Sequence, residues 1–175
     1  MYAHLFYSAT EPQFVRVFPD AQFRNVVEFN QSPITKGITH PANGDLSKFR
    51  VDCDGVYKVS WILNTVATSG ESYFLSQGGF TLQINEVFRV ERPQHLAGFT
   101  FISNSPADVV RPQFTGQDLL KLKSGDVVQL LFFKGFVDTS VPDDGLQLEL
   151  TQNFADIDPV FNCIAADLII ERIDS

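Results

Sequence analysis

Apolar residues in this chain come in short stretches separated by clusters of Gly, Pro, Asn and Asp, and within most stretches they alternate with polar residues at period two. That is the pattern of strands with one face in a core and the other in water, as in a sandwich or barrel. In residues 56–66, Tyr57, Val59, Trp61 and Leu63 fall on one side and Val56, Lys58, Ser60 and Ile62 on the other, which predicts a half-buried strand. Residues 80–85 and 146–151 alternate as cleanly and predict strands with one wet face. Residues 127–133 differ, because both faces are apolar apart from Gln129 and the run is too short for a typical helix. Each face of that strand needs a cover, either a subunit contact or an overlying loop. Residues 14–18, 23–29, 49–53, 72–76, 96–102 and 164–173 supply the remaining candidates, for about ten strands in all.

Helical periodicity is almost absent. Thr115 is a candidate cap for a helical turn over residues 115–120, but the flanking Gly and β signals favour a short turn of another kind. Residues 31–48, polar with two Pro and two Gly, read as a long loop holding one short strand near Ile38. Gly78-Gly79 lacks the Lys and the following helix that would cradle a phosphate, and reads as a turn or kink.

At 175 residues the chain has room for one well-buried domain plus an extension. The 17 Phe against one Trp and one Met point to a core and interfaces built from rigid rings. A net charge of −8, with no local gathering of Lys and Arg, argues against a nucleic-acid partner. The first residues, Met1-Tyr2-Ala3-His4-Leu5-Phe6, show neither a basic n-region nor a sustained apolar run, so neither a secretory signal nor a membrane span is expected. Cys53 and Cys163 fall in different predicted strands and outside any metal-ligand spacing. Two buried thiols is the simpler reading, since a disulfide needs the Cα atoms within about 7 Å. The sequon Asn30-Gln31-Ser32 is followed by Pro33, which makes it a poor glycosylation acceptor.

Four segments, in order along residues 26–173, resemble the C1q/TNF-like superfamily, which includes the C-terminal domains of bacterial spore-surface glycoproteins. Val27-Glu28-Phe29-Asn30 with Gly37-Ile38 is similar to the family's early strand and loop. Phe49-Arg50-Val51 through Gly55-Val56-Tyr57-Lys58-Val59-Ser60 resembles its central signature and is the most specific of the four. Residues 120–130, with Gly125-Asp126 at the turn, resemble a family hairpin, and residues 166–173 its closing strand. In physical terms Gly55 and Gly125 suit tight turns with unusual backbone angles, and Asp126 can accept from neighbouring turn amides. The resemblance implies an all-β, two-sheet antiparallel jelly-roll sandwich that works as a homotrimer. No collagen-like Gly-X-Y run precedes the domain, so trimerisation would fall to the globular heads. An aromatic-rich arm, residues 1–22, lies outside the matched jelly-roll domain of residues 23–175, with Phe6, Tyr7, Phe14 and Phe18 as docking candidates. It would pack on a neighbour or scaffold, or add an edge strand to its own domain.

No catalytic constellation emerges. Ser69-Gly70-Glu71-Ser72-Tyr73 is not a nucleophile elbow, and His4, His40 and His95 lack the i+2 or i+4 partners of a metal site. Asp143, Asp144, Asp156 and Asp158 are weak calcium candidates, read more simply as solvated turn carboxylates. No cofactor is expected. Tyr57, Trp61, Leu130 and Phe132 are candidates for the core or the trimer interface, with core favoured for Tyr57 and Trp61. The expected function is non-enzymatic: a trimeric surface protein decorating or cementing a capsid, viral or phage, or a spore coat, assembled in the cytoplasm without contacting membrane. The alternative is a recognition module that binds a receptor or glycan through loop residues such as Tyr73, Phe136 and Asp143.

Overall fold

A computed structural model of the chain describes residues 1–8, 13–16, 25–68, 74–87, 97–103, 109–110, 113–134, 147–150 and 164–174. Thirteen strands lie among them, and every strand pairing is antiparallel. The long β6 (Gly55–Thr68) organises the larger sheet. Along one edge it pairs with β10 (Gln113–Leu122) and then β9 (Val109–Val110). Along the other it pairs with β13 (Ala166–Arg172) and then β12 (Gln147–Leu150). β13 carries β1 (Tyr2–Tyr7), β1 carries β3 (Gln31–Lys36), and β12 carries β2 (Gln13–Arg16). The second sheet runs β4 (Ile38–Thr39), β5 (Phe49–Val51), β11 (Val127–Lys134), β7 (Phe74–Ile84), β8 (Ala97–Ser103).

The core fills the space between the sheets with the inward rows that alternation predicts. Tyr57, Val59, Trp61 and Leu63 from β6 meet Val128, Leu130 and Phe132 from β11 in one buried cluster. Phe80 links the layers, its ring centroid 5.1 Å from that of Phe132 and 5.3 Å from that of Phe114. Each such side chain contributes about 1.5–3 kcal/mol by leaving water. Tyr57 keeps its polar tip satisfied, because its hydroxyl donates to the Cys53 carbonyl at 2.8 Å. Burial pushes its phenol above the usual range, and the nearby Arg172 opposes the shift.

Several expectations are corrected by this arrangement. Residues 115–120 are not a turn: they lie within β10, whose inward row is Phe114, Gly116, Asp118, Leu120 and Leu122. Gly116 is there because the Trp61 ring lies over it; a Cβ would overlap ring atoms Cζ2 and Cε2 and sit 2.9 Å from Nε1. The expected loop over residues 31–48 begins with a strand, β3, which escapes the alternation rule because it is an almost wholly exposed edge. Such an edge tolerates Pro33. Cys53 lies in the turn between β5 and β6, not in a strand, and carries a free thiol; Cys163 lies outside the described residues. Gly78 and Gly79 continue β7 in mid-strand, paired to β8 and β11. Gly125 does adopt a left-handed backbone, φ 92°. Gly55 faces the Arg172 side chain instead: a Cβ there would stand 2.5 Å from Arg172 Nε, the far end of a flexible chain that can move aside.

The boundary expected at residue 22 does not separate residues 2–7 from the domain. β1 is an interior strand between β13 and β3, and Ala3 and Leu5 are buried in the core. Two reciprocal side-chain clamps hold the segment further on. Ser8 N donates to Asn30 Oδ1 at 3.0 Å while Asn30 Nδ2 donates to the Ser8 carbonyl at 2.9 Å. Glu28 N donates to Gln13 Oε1 at 2.6 Å while Gln13 Nε2 donates to the Glu28 carbonyl at 3.0 Å. Amide side chains thus substitute for strand partners where no ladder forms.

Candidate functional site

Strands buried on one face leave the other to solvent, and the outer face of the larger sheet is where this chain departs from an ordinary wet surface. Cross-strand partners point to the same side, so the register places three rows side by side on β10, β6, β13, β1 and β3. One row reads Leu119, Lys58, Glu171, Tyr2, Lys36; the next Gln117, Ser60, Ile169, His4, Ile34; the third Thr115, Ile62, Asp167, Phe6, Gln31. Five strands span about 19 Å at the usual inter-strand spacing. Ile34, Ile62 and Ile169 are each 44–45% exposed, Tyr2 48% and Leu119 54%. Large apolar side chains brought together on one face in this way mark a contact surface more often than scattered ones do.

At the centre of this face His4 Nε2 and Asp167 Oδ1 lie 2.7 Å apart, with the two side chains 34% and 27% exposed. Phe6 stacks obliquely on the imidazole, centroids 5.5 Å apart. Register gives His4 the neighbours Ile169 and Ile34, and gives Asp167 the neighbours Ile62 and Phe6. A polar pair is thereby ringed by apolar residues. The formal charges around it alternate in sign: Lys36, Lys58 and Lys121 against Asp167 and Glu171.

The other sheet solves its covering problem within the chain, at least around Gln129. That residue points away from the core yet is buried, as is Ser47 above it. Gln83 Nε2 donates to Gln129 Oε1 at 2.8 Å, Gln129 Nε2 to Ser47 Oγ at 2.7 Å, and Ser47 Oγ to Asp45 Oδ1 at 2.7 Å. Lys48 Nζ then bonds Glu86 Oε1 at 2.7 Å, lowering the Glu86 carboxyl below its usual range through that hydrogen bond. Of the two covers considered for residues 127–133, an overlying loop serves here. His40 closes the same loop by donating from Nε2 to the Leu46 carbonyl at 3.0 Å, and burial holds its imidazole below the ordinary histidine range.

Tyr57, Trp61, Leu130 and Phe132 all sit in the interior, at most 2% exposed, so none has surface left for a subunit contact. Phe6 lies on the outer face of the larger sheet, whereas Tyr7 turns inward against the core. Phe14 belongs to β2 by its backbone, and Phe18, Asp143, Asp144, Asp156, Asp158 and His95 lie outside the described residues, as do Tyr73 and Phe136. Ile34, Ile62, Leu119 and Ile169 were not singled out by sequence. Among the described residues no group of three His, Cys, Asp or Glu is placed to hold a metal ion, and no helix is long and apolar enough to cross a membrane.

The layer orders β3-β1-β13-β6-β10 and β4-β5-β11-β7-β8 define a two-sheet antiparallel sandwich of the jelly-roll class. No family model matches the chain, and no curated protein is significantly similar to it. Among solved structures, the globular domain of zebrafish complement 1qA protein aligns with 99% of this chain and 97% of its own, at 14% identity and a TM-score of 0.45.

Proposed function

We propose that the chain is a non-enzymatic structural protein: a homotrimer of jelly rolls joined through the outer face of the larger sheet, decorating or cementing a larger shell such as a capsid or spore coat. The observation that carries the trimer is the exposed group of Ile34, Ile62, Leu119, Ile169 and Tyr2 on one five-strand face. Its occupant is a copy of itself because the charges among those residues alternate in sign. A face of one sign would repel its copy, whereas Lys58 and Glu171 of one protomer can each find an opposite charge on the next. The shell reading rests on the sequence resemblance to spore-surface domains. It is tested by mass spectrometry of intact, salt-washed particles from the producing organism. Recovery of the chain with the particles supports it, and recovery only in the soluble fraction removes it. Ile62→Lys with Ile169→Lys tests the face: the double variant keeps its fold and loses self-association.

A further inference from the structure

We propose that the pair of His4 and Asp167 makes this self-association proton-linked, so that assembly strengthens as the pH falls from about 7.5 to about 5.5, the range in which histidine ordinarily titrates. The inference rests on the trimer reading above. In the free protomer water still reaches both side chains, which are 34% and 27% exposed. Assembly over the surrounding Ile34, Ile169, Tyr2 and Phe6 removes that water. A carboxylate in apolar surroundings is costly unless a charge compensates it. Neutral His4 can donate a hydrogen bond to Asp167 but leaves the negative charge uncancelled, whereas the imidazolium cancels it.

The assembled state therefore binds more protons than the free protomers. By linkage the association constant then rises as pH falls, with a slope equal to the protons taken up. A trimer holds three copies of His4, so uptake through this residue is bounded at three protons per trimer, or about a thousandfold per pH unit at the limit.

The other charged groups on the packed strands are Glu171 on β13, Lys58 on β6, Lys36 on β3 and Lys121 on β10, with the amino group of Met1 at the start of β1. The chain's net charge of −8 also shrinks in acid, which eases self-repulsion in any variant. The specific part is the difference between the parent and the double variant His4→Gln with Asp167→Asn, which lacks the pair and shares every other titrating group.

Sedimentation equilibrium over a dilution series at about 0.15 M salt measures it, at pH values from about 7.5 to about 5.5. The parent's association constant is expected to rise at least about tenfold more than that of the double variant over this range. Asp167→Asn alone supplies the second arm: with the carboxylate gone, a protonated His4 has no counter-charge to neutralise, so its acid response falls below that of the double variant. Parent and double-variant trimers with parallel pH responses overturn the proton linkage and leave the trimer standing. A parent chain that stays monomeric at every pH overturns the trimer itself.

Discussion

Replacing Gly116 with alanine puts a methyl group where the indole of Trp61 lies. On an extended strand, Gly→Ala ordinarily stabilises by about 0.4–1 kcal/mol, because it reduces the freedom of the unfolded chain. Here the new Cβ would overlap Cζ2 and Cε2 of a tryptophan that is 2% exposed and walled by the core cluster. Overpacking of that kind costs about 1–3 kcal/mol. The sign of the effect decides between the two, since a net loss appears only if the indole cannot move aside. For a chain of this size each kcal/mol lowers Tm by about 2–4 °C. Urea unfolding at fixed protein concentration, followed by the fluorescence of the single tryptophan, reads the change directly. Gly55→Ala is the matched control: its Cβ would meet Arg172 Nε and Asp174 Oδ1, the far ends of flexible side chains, so its cost stays below about 1 kcal/mol. Adding Trp61→Phe to Gly116→Ala makes room, and a double-mutant cycle read by circular dichroism should give a favourable coupling of about 1 kcal/mol or more. A neutral or stabilised Gly116→Ala variant would refute the packing argument for β10.

Ser47→Ala leaves a buried Gln129 amide N–H without its acceptor and should cost about 1–3 kcal/mol in urea unfolding; a change inside about 0.5 kcal/mol means the polar chain over β11 contributes little. His40 has a folded-state pKa below its ordinary 6.5. The unfolded chain therefore binds more protons around that pH, and stability falls as pH drops through 6.5 toward the folded value. His40→Gln should flatten that decline between about pH 7 and 5.5, and identical declines in parent and variant would contradict the burial argument.

Legibility in the sequence followed the clarity of alternation. β6 and the second half of β7 are readable because apolar residues recur at every second position, whereas β11 is readable because its run, apolar on both faces, is too short for a helix. β10 was not, because its inward row contains Gly116 and Asp118, one excluded by a ring and the other polar. β3 was missed because an edge strand that buries almost nothing has no apolar row to show. β1 reads as part of an arm because the aromatic-rich residues 1–22 lie outside the matched segments; in the fold Leu5 enters the core, Tyr7 packs against it, and Phe6 joins the outer face. The candidate face was the least legible feature. Its members are ordinary outward residues on separate strands, and His4 meets Asp167 across 163 positions of chain. Hydrophobicity alone pointed instead to the largest rings, and those the core had already taken.

β1 also changes how self-association is best tested. Deleting the first twenty residues would remove a strand that pairs with both β13 and β3, so loss of assembly in such a variant would report misfolding. Light scattering on the full chain, beside Ile62→Lys with Ile169→Lys, leaves the ladder intact. The parent is expected at three times the 19.6 kDa chain mass and the variant at one, with the same tryptophan emission in both. A parent that scatters as a monomer across the accessible concentration range, or a doubly substituted chain that remains a trimer, would contradict the assignment of this face as the subunit contact.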